Sequence, residues 1–284
     1  MQDIIPALKD GCSLIFTYMK PTGYLRVSII QASLVWADKL KNLEYFDREV
    51  AQLGGQTDLI VLPEMFATGF VMDATKVAEP MNGIIMQWMA NHASKLDCVI
   101  TGSIAIKEKG KFYNRLIWMR PDGSFEYTDK RHLFRMGNEQ EYFTAGEKPL
   151  VVTLKGWKVR PLICYDLRFP VWSKNRLIDG QYEYDLLIYV ANWPASRSYV
   201  WKSLLTARAI ENQAYCIGVN RIGKDGKGIP HSGNSMVLDF KGRYQVNAPA
   251  NKTYMETALL DYTELTSFRQ RFAVGLDWDN FTIH

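Results

Sequence analysis

Two short apolar runs, Asp58-Leu-Ile-Val-Leu-Pro63 and Asp185-Leu-Leu-Ile-Tyr-Val190, constrain this chain more than any other feature. Runs of this length without polar alternation read as strands covered on both faces, as in sheets sandwiched between helices. Each run sits in a similar series of elements. In the first half, Leu25–Ala32 reads as a strand. Asp38 then caps a helix with Leu40, Leu43, Phe46, Val50 and Leu53 at helical spacing, stopped by Gly54-Gly55. The strand 58–63, a helix over Ile84–Leu96 and a strand over Val99–Ser103 follow. Lys107-Glu-Lys-Gly110 and Pro121-Asp-Gly123 are hairpin turns. The second half predicts a strand at Val159–Ile163, a helix at Val171–Ile178 and a strand at Tyr184–Val190. A long helix at Tyr199–Asn212 and a strand at Tyr215–Val219 come next. Ser235–Asp239 and Thr257–Asp261 are expected as strands around the Lys241-Gly242 turn. Two similar half-chains imply two sheets related by an approximate twofold, with helices outside: a layered α/β fold.

The bulk properties bound the function. The chain has 284 residues, 47% of them hydrophobic, enough for one large domain with a substantial core. Its 34 basic and 30 acidic residues leave a net charge of +4 without basic runs, so it carries no nucleic-acid signature. Apolar runs are far shorter than the ~20 residues of a membrane-spanning helix. The cysteines, Cys12, Cys98, Cys164 and Cys216, form neither a C-x-x-C pair nor a zinc-type cluster. Cys98 and Cys216 lie in apolar runs and read as buried thiols, which suits a reducing, cytoplasmic setting. Residues 1–18 fit nothing that follows; Met19 is a plausible start, with 1–18 an upstream extension or a cloning remnant and 19–284 the domain.

Three strand ends carry chemistry. Arg160-Pro-Leu-Ile-Cys164-Tyr-Asp-Leu-Arg168-Phe-Pro170 places a thiol where a buried strand turns toward a helix, so backbone N–H groups there favour a thiolate or an oxyanion. Leu59-Ile-Val-Leu-Pro-Glu64 ends in a carboxylate, and Phe125-Glu-Tyr-Thr-Asp-Lys130 in a lysine. A cysteine nucleophile needs a base, an oxyanion stabiliser and an acid for the leaving group. Glu64 suits the first and last roles, with burial beside a second carboxylate expected to raise its pKa. Lys130 suits a fixed positive charge that lowers the thiol pKa and stabilises the tetrahedral intermediate. The backbone N–H of Tyr165 suits a second oxyanion donor.

These segments resemble the nitrilase superfamily of carbon–nitrogen hydrolases, in order: Leu62-Pro-Glu64-Met-Phe66, Asp129-Lys130-Arg-His-Leu133-Phe134 and Cys164-Tyr-Asp166-Leu-Arg168-Phe-Pro170. The similarity runs from about Leu25 to Thr263. It implies a four-layer α-β-β-α sandwich, a Glu64-Lys130-Cys164 triad and a thioester acyl-enzyme, without metal or organic cofactor. Glu139-Gln-Glu-Tyr-Phe-Thr-Ala-Gly146 resembles the segment with the family's second glutamate, placing it on Glu139, with Glu141 as the alternative. Ala191-Asn-Trp-Pro194 and Leu205-Thr-Ala-Arg208-Ala-Ile-Glu-Asn212 make the omega-amidase branch, and its bacterial members, the most similar. That branch implies hydrolysis of the terminal amide of dicarboxylic monoamides such as 2-oxoglutaramate. Arg168 would then anchor the far carboxylate, and Phe66 and Trp193 would wall the pocket. A homodimer or larger homo-oligomer is also implied, and the aromatic-rich stretch Arg269–Phe281 is expected to reach over a neighbour.

Other readings stand beside this one. A related amidase for deaminated glutathione or an N-carbamoyl compound shares the triad, and a non-catalytic scaffold shares the fold. A Cys-His hydrolase would need an imidazole, and His92, His132, His231 and His284 are the choices. His132 is expected to pack or bond locally, Asp166 to serve its turn, Arg208 and Glu211 to pair, and Gly137 and Gly146 to punctuate loops.

Overall fold

The computed structural model describes residues 23–283. The expectations for residues 1–18, Met19, Cys12 and His284 fall outside them. Two six-stranded sheets form the centre. The first runs, edge to edge, Tyr254–Asp261, Tyr24–Gln31, Leu59–Val61, Val99–Glu108, Lys111–Met119, Phe125–Asp129. The second runs Val152–Leu154, Trp157–Ile163, Leu186–Ala191, Tyr215–Asn220, Met236–Leu238, Tyr244–Asn247. Each sheet has parallel strands in the middle, one antiparallel strand on one side and an antiparallel pair on the other. The matching order is the topological form of the repeat read in the sequence.

Alternation along the strands separates the layers. Leu25, Val27, Ile29, Leu59 and Val61 point inward, into one cluster with Val159, Leu186 and Ile188 of the facing sheet. Ile30, Ile60, Leu62 and Ile100 point outward, against Phe46, Trp88 and Met89 of the helices Lys39–Val50 and Ile84–Leu96. Each such side chain removed from water contributes ~1.5–3 kcal/mol. The helix Ser198–Asn212 covers the second sheet through Trp201, Leu205 and Ala209. A Cβ on Gly218 would lie 2.3 Å from Leu205 Cδ1, so glycine sets how closely that helix approaches. The four layers are therefore α-β-β-α.

Two expectations change. The helix expected over 171–178 stops after Pro170–Ser173, and Leu177–Ile178 pairs with Gln181–Tyr182 instead. Buried Asn175 explains this: its amide donates to the carbonyls of Tyr184 and Asn212, and its Oδ1 accepts from the Arg176 and Tyr184 N–H groups. A side chain so engaged competes with continued helix. The hairpin around Lys241-Gly242 joins Met236–Leu238 to Tyr244–Asn247, whereas Tyr254–Asp261 crosses to the first sheet and pairs with Tyr24–Gln31. Within the chain, Arg269 lies 2.7 Å from Asp185, and Trp278 packs under Lys174 and against Tyr182.

Candidate active site

Glu64 and Cys164 follow parallel strands of opposite sheets, and Lys130 follows the edge strand Phe125–Asp129. The sandwich brings their ends to one side. Lys130 is the hub. Its Nζ donates to Glu64 Oε1 at 2.9 Å and to Glu139 Oε2 at 2.9 Å, and it lies 4.8 Å from the Phe70 ring centroid. All three side chains are almost wholly buried. Burial opposes the lysine's charge, but Glu139 and Glu64 together outweigh it and hold the ammonium protonated far above its ordinary range. Glu139 shows the opposite balance: burial raises its carboxyl pKa more than Lys130 lowers it, and Glu64 adds to the rise. Glu139, rather than Glu141, carries these contacts; it also accepts the Phe134 N–H at 2.6 Å.

Cys164 begins a 3₁₀ turn, Cys164–Arg168, directly after the strand Trp157–Ile163. Its φ is 43°, a left-handed conformation unfavourable for a side chain with a Cβ. Asp166 holds the bend. Its Oδ2 accepts the Ile163 N–H at 3.1 Å, while its Oδ1 accepts the His132 N–H at 3.0 Å. His132 Nδ1 lies 2.8 Å from the same oxygen, and its ring stacks on Phe169 at 3.7 Å. Asp166 and His132 thus tie the cysteine turn to the loop after Lys130. Arg208 adds a bond to the Leu167 carbonyl at 2.7 Å while pairing with Glu211.

The expected fall in the thiol pKa is not the net outcome. Burial raises the Cys164 pKa well above its ordinary value, the Glu64 carboxylate raises it further, and Lys130 pulls it down only in part.

Two asparagines that no sequence motif points to as site residues complete the cluster. Asn114 Nδ2 donates to Glu64 Oε1 at 2.8 Å, and its carbonyl accepts the Lys130 N–H at 2.9 Å. Asn192 donates its backbone N–H to Glu64 Oε2 at 2.8 Å and its side-chain amide to the Glu64 carbonyl. Only Asn192 lay inside a segment singled out in the sequence. Gly146 does more than punctuate: a Cβ there would lie 2.1 Å from the Asp129 carbonyl oxygen, beside Lys130.

These groups open into a cavity of about 440 Å³. Glu64, Lys130 and Cys164 reach it, as do Tyr165, Arg168 and Trp193. Arg168 lies over the Trp193 ring at 5.1 Å. Phe66 does not line the cavity. It is fully buried in the outer layer, edge-on to Phe46 at 5.5 Å and against Trp88 at 5.7 Å. Met65, with φ 47°, breaks the strand alternation after Glu64 and turns Phe66 outward. The site can therefore present a thiol, a carboxylate and a fixed ammonium to one polarised carbon.

Comparison with known proteins identifies the family. The pattern of the family described as carbon–nitrogen hydrolase matches residues 26–270. Omega-amidase YafV of Yersinia enterocolitica is 43% identical over 91% of this chain and 98% of its own length. The 2-oxoglutaramate amidase of Bacillus subtilis is 30% identical over 76% of this chain and 83% of its own. A solved structure from Xanthomonas campestris, a CN-hydrolase superfamily protein with an arsenic adduct in its active site, superposes with a TM-score of 0.91. It is 42% identical and covers 93% of this chain and 100% of its own. By family pattern, close relatives and shared architecture, this chain belongs to the carbon–nitrogen hydrolase family of the nitrilase superfamily.

Proposed function

We propose that this enzyme is an omega-amidase that hydrolyses the terminal amide of short dicarboxylic monoamides, turning 2-oxoglutaramate into 2-oxoglutarate and ammonia. One observation carries the reading: the cavity is lined by Cys164, Glu64 and Lys130 and, within the same space, by the Arg168 guanidinium, which has no carboxylate partner among the described residues. That combination suits a substrate with an amide at one end and an anion at the other. Similarity to proteins called omega-amidase and 2-oxoglutaramate amidase supports the same substrate class.

In the first half-reaction, Glu64 takes the Cys164 proton as sulfur attacks the amide carbon. The carbonyl π electrons move to oxygen, which Lys130 and the Tyr165 backbone N–H stabilise; one such donor is worth ~3 kcal/mol of barrier. The C–N bond then breaks, nitrogen takes the proton from Glu64, and ammonia leaves behind a thioester. In the second half-reaction, Glu64 takes a proton from water, and the resulting hydroxide attacks the thioester. The C–S bond breaks, and the proton returns to sulfur. Glu139 holds Lys130 in place and balances its charge. The same reading takes the enzyme as cytoplasmic and at least dimeric. Exposed Val171, Tyr199 and Ile210 support a paired surface, which a monomer by light scattering would contradict.

A substrate panel tests the reading. The wild type should release ammonia from 2-oxoglutaramate and succinamate much faster than from an N-carbamoyl amino acid or an aliphatic nitrile. Faster turnover of either of the last two would overturn the assignment.

A further inference from the structure

Arg168 is not the only guanidinium in the cavity. Arg197, on the 3₁₀ turn Ala195–Arg197, lines the same space, its guanidinium 5.4 Å from the Phe134 ring centroid. Among the described residues it makes no ion pair. Asp225, which also lines the cavity, is engaged by its own turn: its Oδ1 accepts the Lys227 N–H at 2.8 Å and the Ile229 N–H at 2.9 Å.

The two arginines share one support. Trp193 lies under Arg168, and its indole N–H donates to the Arg197 carbonyl at 2.9 Å. Phe134, under Arg197, packs edge-on against Tyr165 at 5.3 Å, and Tyr165 is the neighbour of Cys164. Aromatic faces hold a guanidinium by its π surface and leave its in-plane N–H donors unused. Both cations thus rest on aromatic rings with donors to spare, in a space that the thiol also lines.

We infer that Arg197 and Arg168 form a two-armed clamp for the anionic end of the substrate, with Arg197 a specificity-determining residue in its own right. The inference rests on the reading of a carboxylate-bearing amide substrate. A planar carboxylate has two oxygens, and a neighbouring 2-oxo group adds a third acceptor in the same plane. The carboxylate alone offers about four lone-pair sites and one fork fills only two, so a second guanidinium in the same cavity has acceptors to meet even without the 2-oxo group.

The test compares kcat/KM for succinamate with kcat/KM for butyramide, which has the same chain length without the charge. In Arg197→Met the ratio should fall about 10- to 100-fold, the scale of a charge-assisted hydrogen bond, chiefly through KM for succinamate. Arg197→Lys should recover part of the ratio, since it restores charge but not the fork. A merely structural Arg197 would lower both activities together and leave the ratio within twofold of wild type, which overturns the inference while the omega-amidase reading stands. A wild type that turns over butyramide as well as succinamate would overturn both.

Discussion

Asn192 and Glu64 meet at 2.8 Å, backbone N–H to carboxylate oxygen, across 128 positions of sequence. Each follows the middle parallel strand of its own sheet, so equivalent places in the two halves face each other across the sandwich. The Glu64 carboxylate of one half is held by the backbone of the other. Replacing Asn192 with alanine keeps the backbone donor but removes the bond to the Glu64 carbonyl. An unpaired buried carbonyl costs ~1–3 kcal/mol. Urea unfolding should show that loss, and turnover should fall about tenfold or more as Glu64 loosens. Unchanged turnover would deny Asn192 a positioning role.

Lys130→Met removes the cation shared by two buried carboxylates. Breaking such a pair costs ~3–5 kcal/mol. The loss should depend on pH. Burial already raises the Glu139 carboxyl pKa, and without Lys130 it rises further. A folded pKa above the unfolded value of ~4.3 means that the folded state binds more protons, so stability is greatest in acid and declines as pH rises through the folded pKa. Relative to wild type, the variant should be less destabilised at pH 5 than at pH 8. An equal loss at both would place the destabilisation elsewhere.

Glu64→Gln should abolish turnover yet make the thiol easier to ionise. The Glu64 charge raises the Cys164 pKa and Lys130 lowers it, so neutralising only the carboxylate moves the thiol down. Iodoacetamide labelling of Cys164 should therefore reach half-maximal rate at lower pH in the variant. A shift to higher pH would mean that Glu64 does not act on the sulfur as described.

Gly146→Ala drives a Cβ into the Asp129 carbonyl. The backbone next to Lys130 must move, costing ~1–3 kcal/mol of overpacking. Turnover should fall with stability. A variant of wild-type melting temperature and activity would show that the loop relaxes freely.

The strand ends were readable because each candidate residue follows a buried or edge strand, where the chain must emerge from the layers. Glu64, Lys130 and Cys164 all sit at such exits. Phe66 was misplaced because the left-handed turn at Met65 interrupts alternation, and no residue preference announces it. Asn114 was invisible for another reason: it lies inside the hairpin strand Lys111–Met119, and only sheet register brings it to Glu64. The Cys164 thiol misled because burial, which dominates its pKa, depends on the assembled sandwich. The helix lost after Ser173 turned on Asn175, whose partners Tyr184 and Asn212 come from other elements.

The central claim is that Cys164 performs amide hydrolysis with Glu64 and Lys130. Its most direct test is ammonia release from 2-oxoglutaramate and succinamate by the wild type and by Cys164→Ala, with matched folding shown by circular dichroism. The account predicts rapid release by the wild type and none above background by the variant. Comparable release by Cys164→Ala would contradict it.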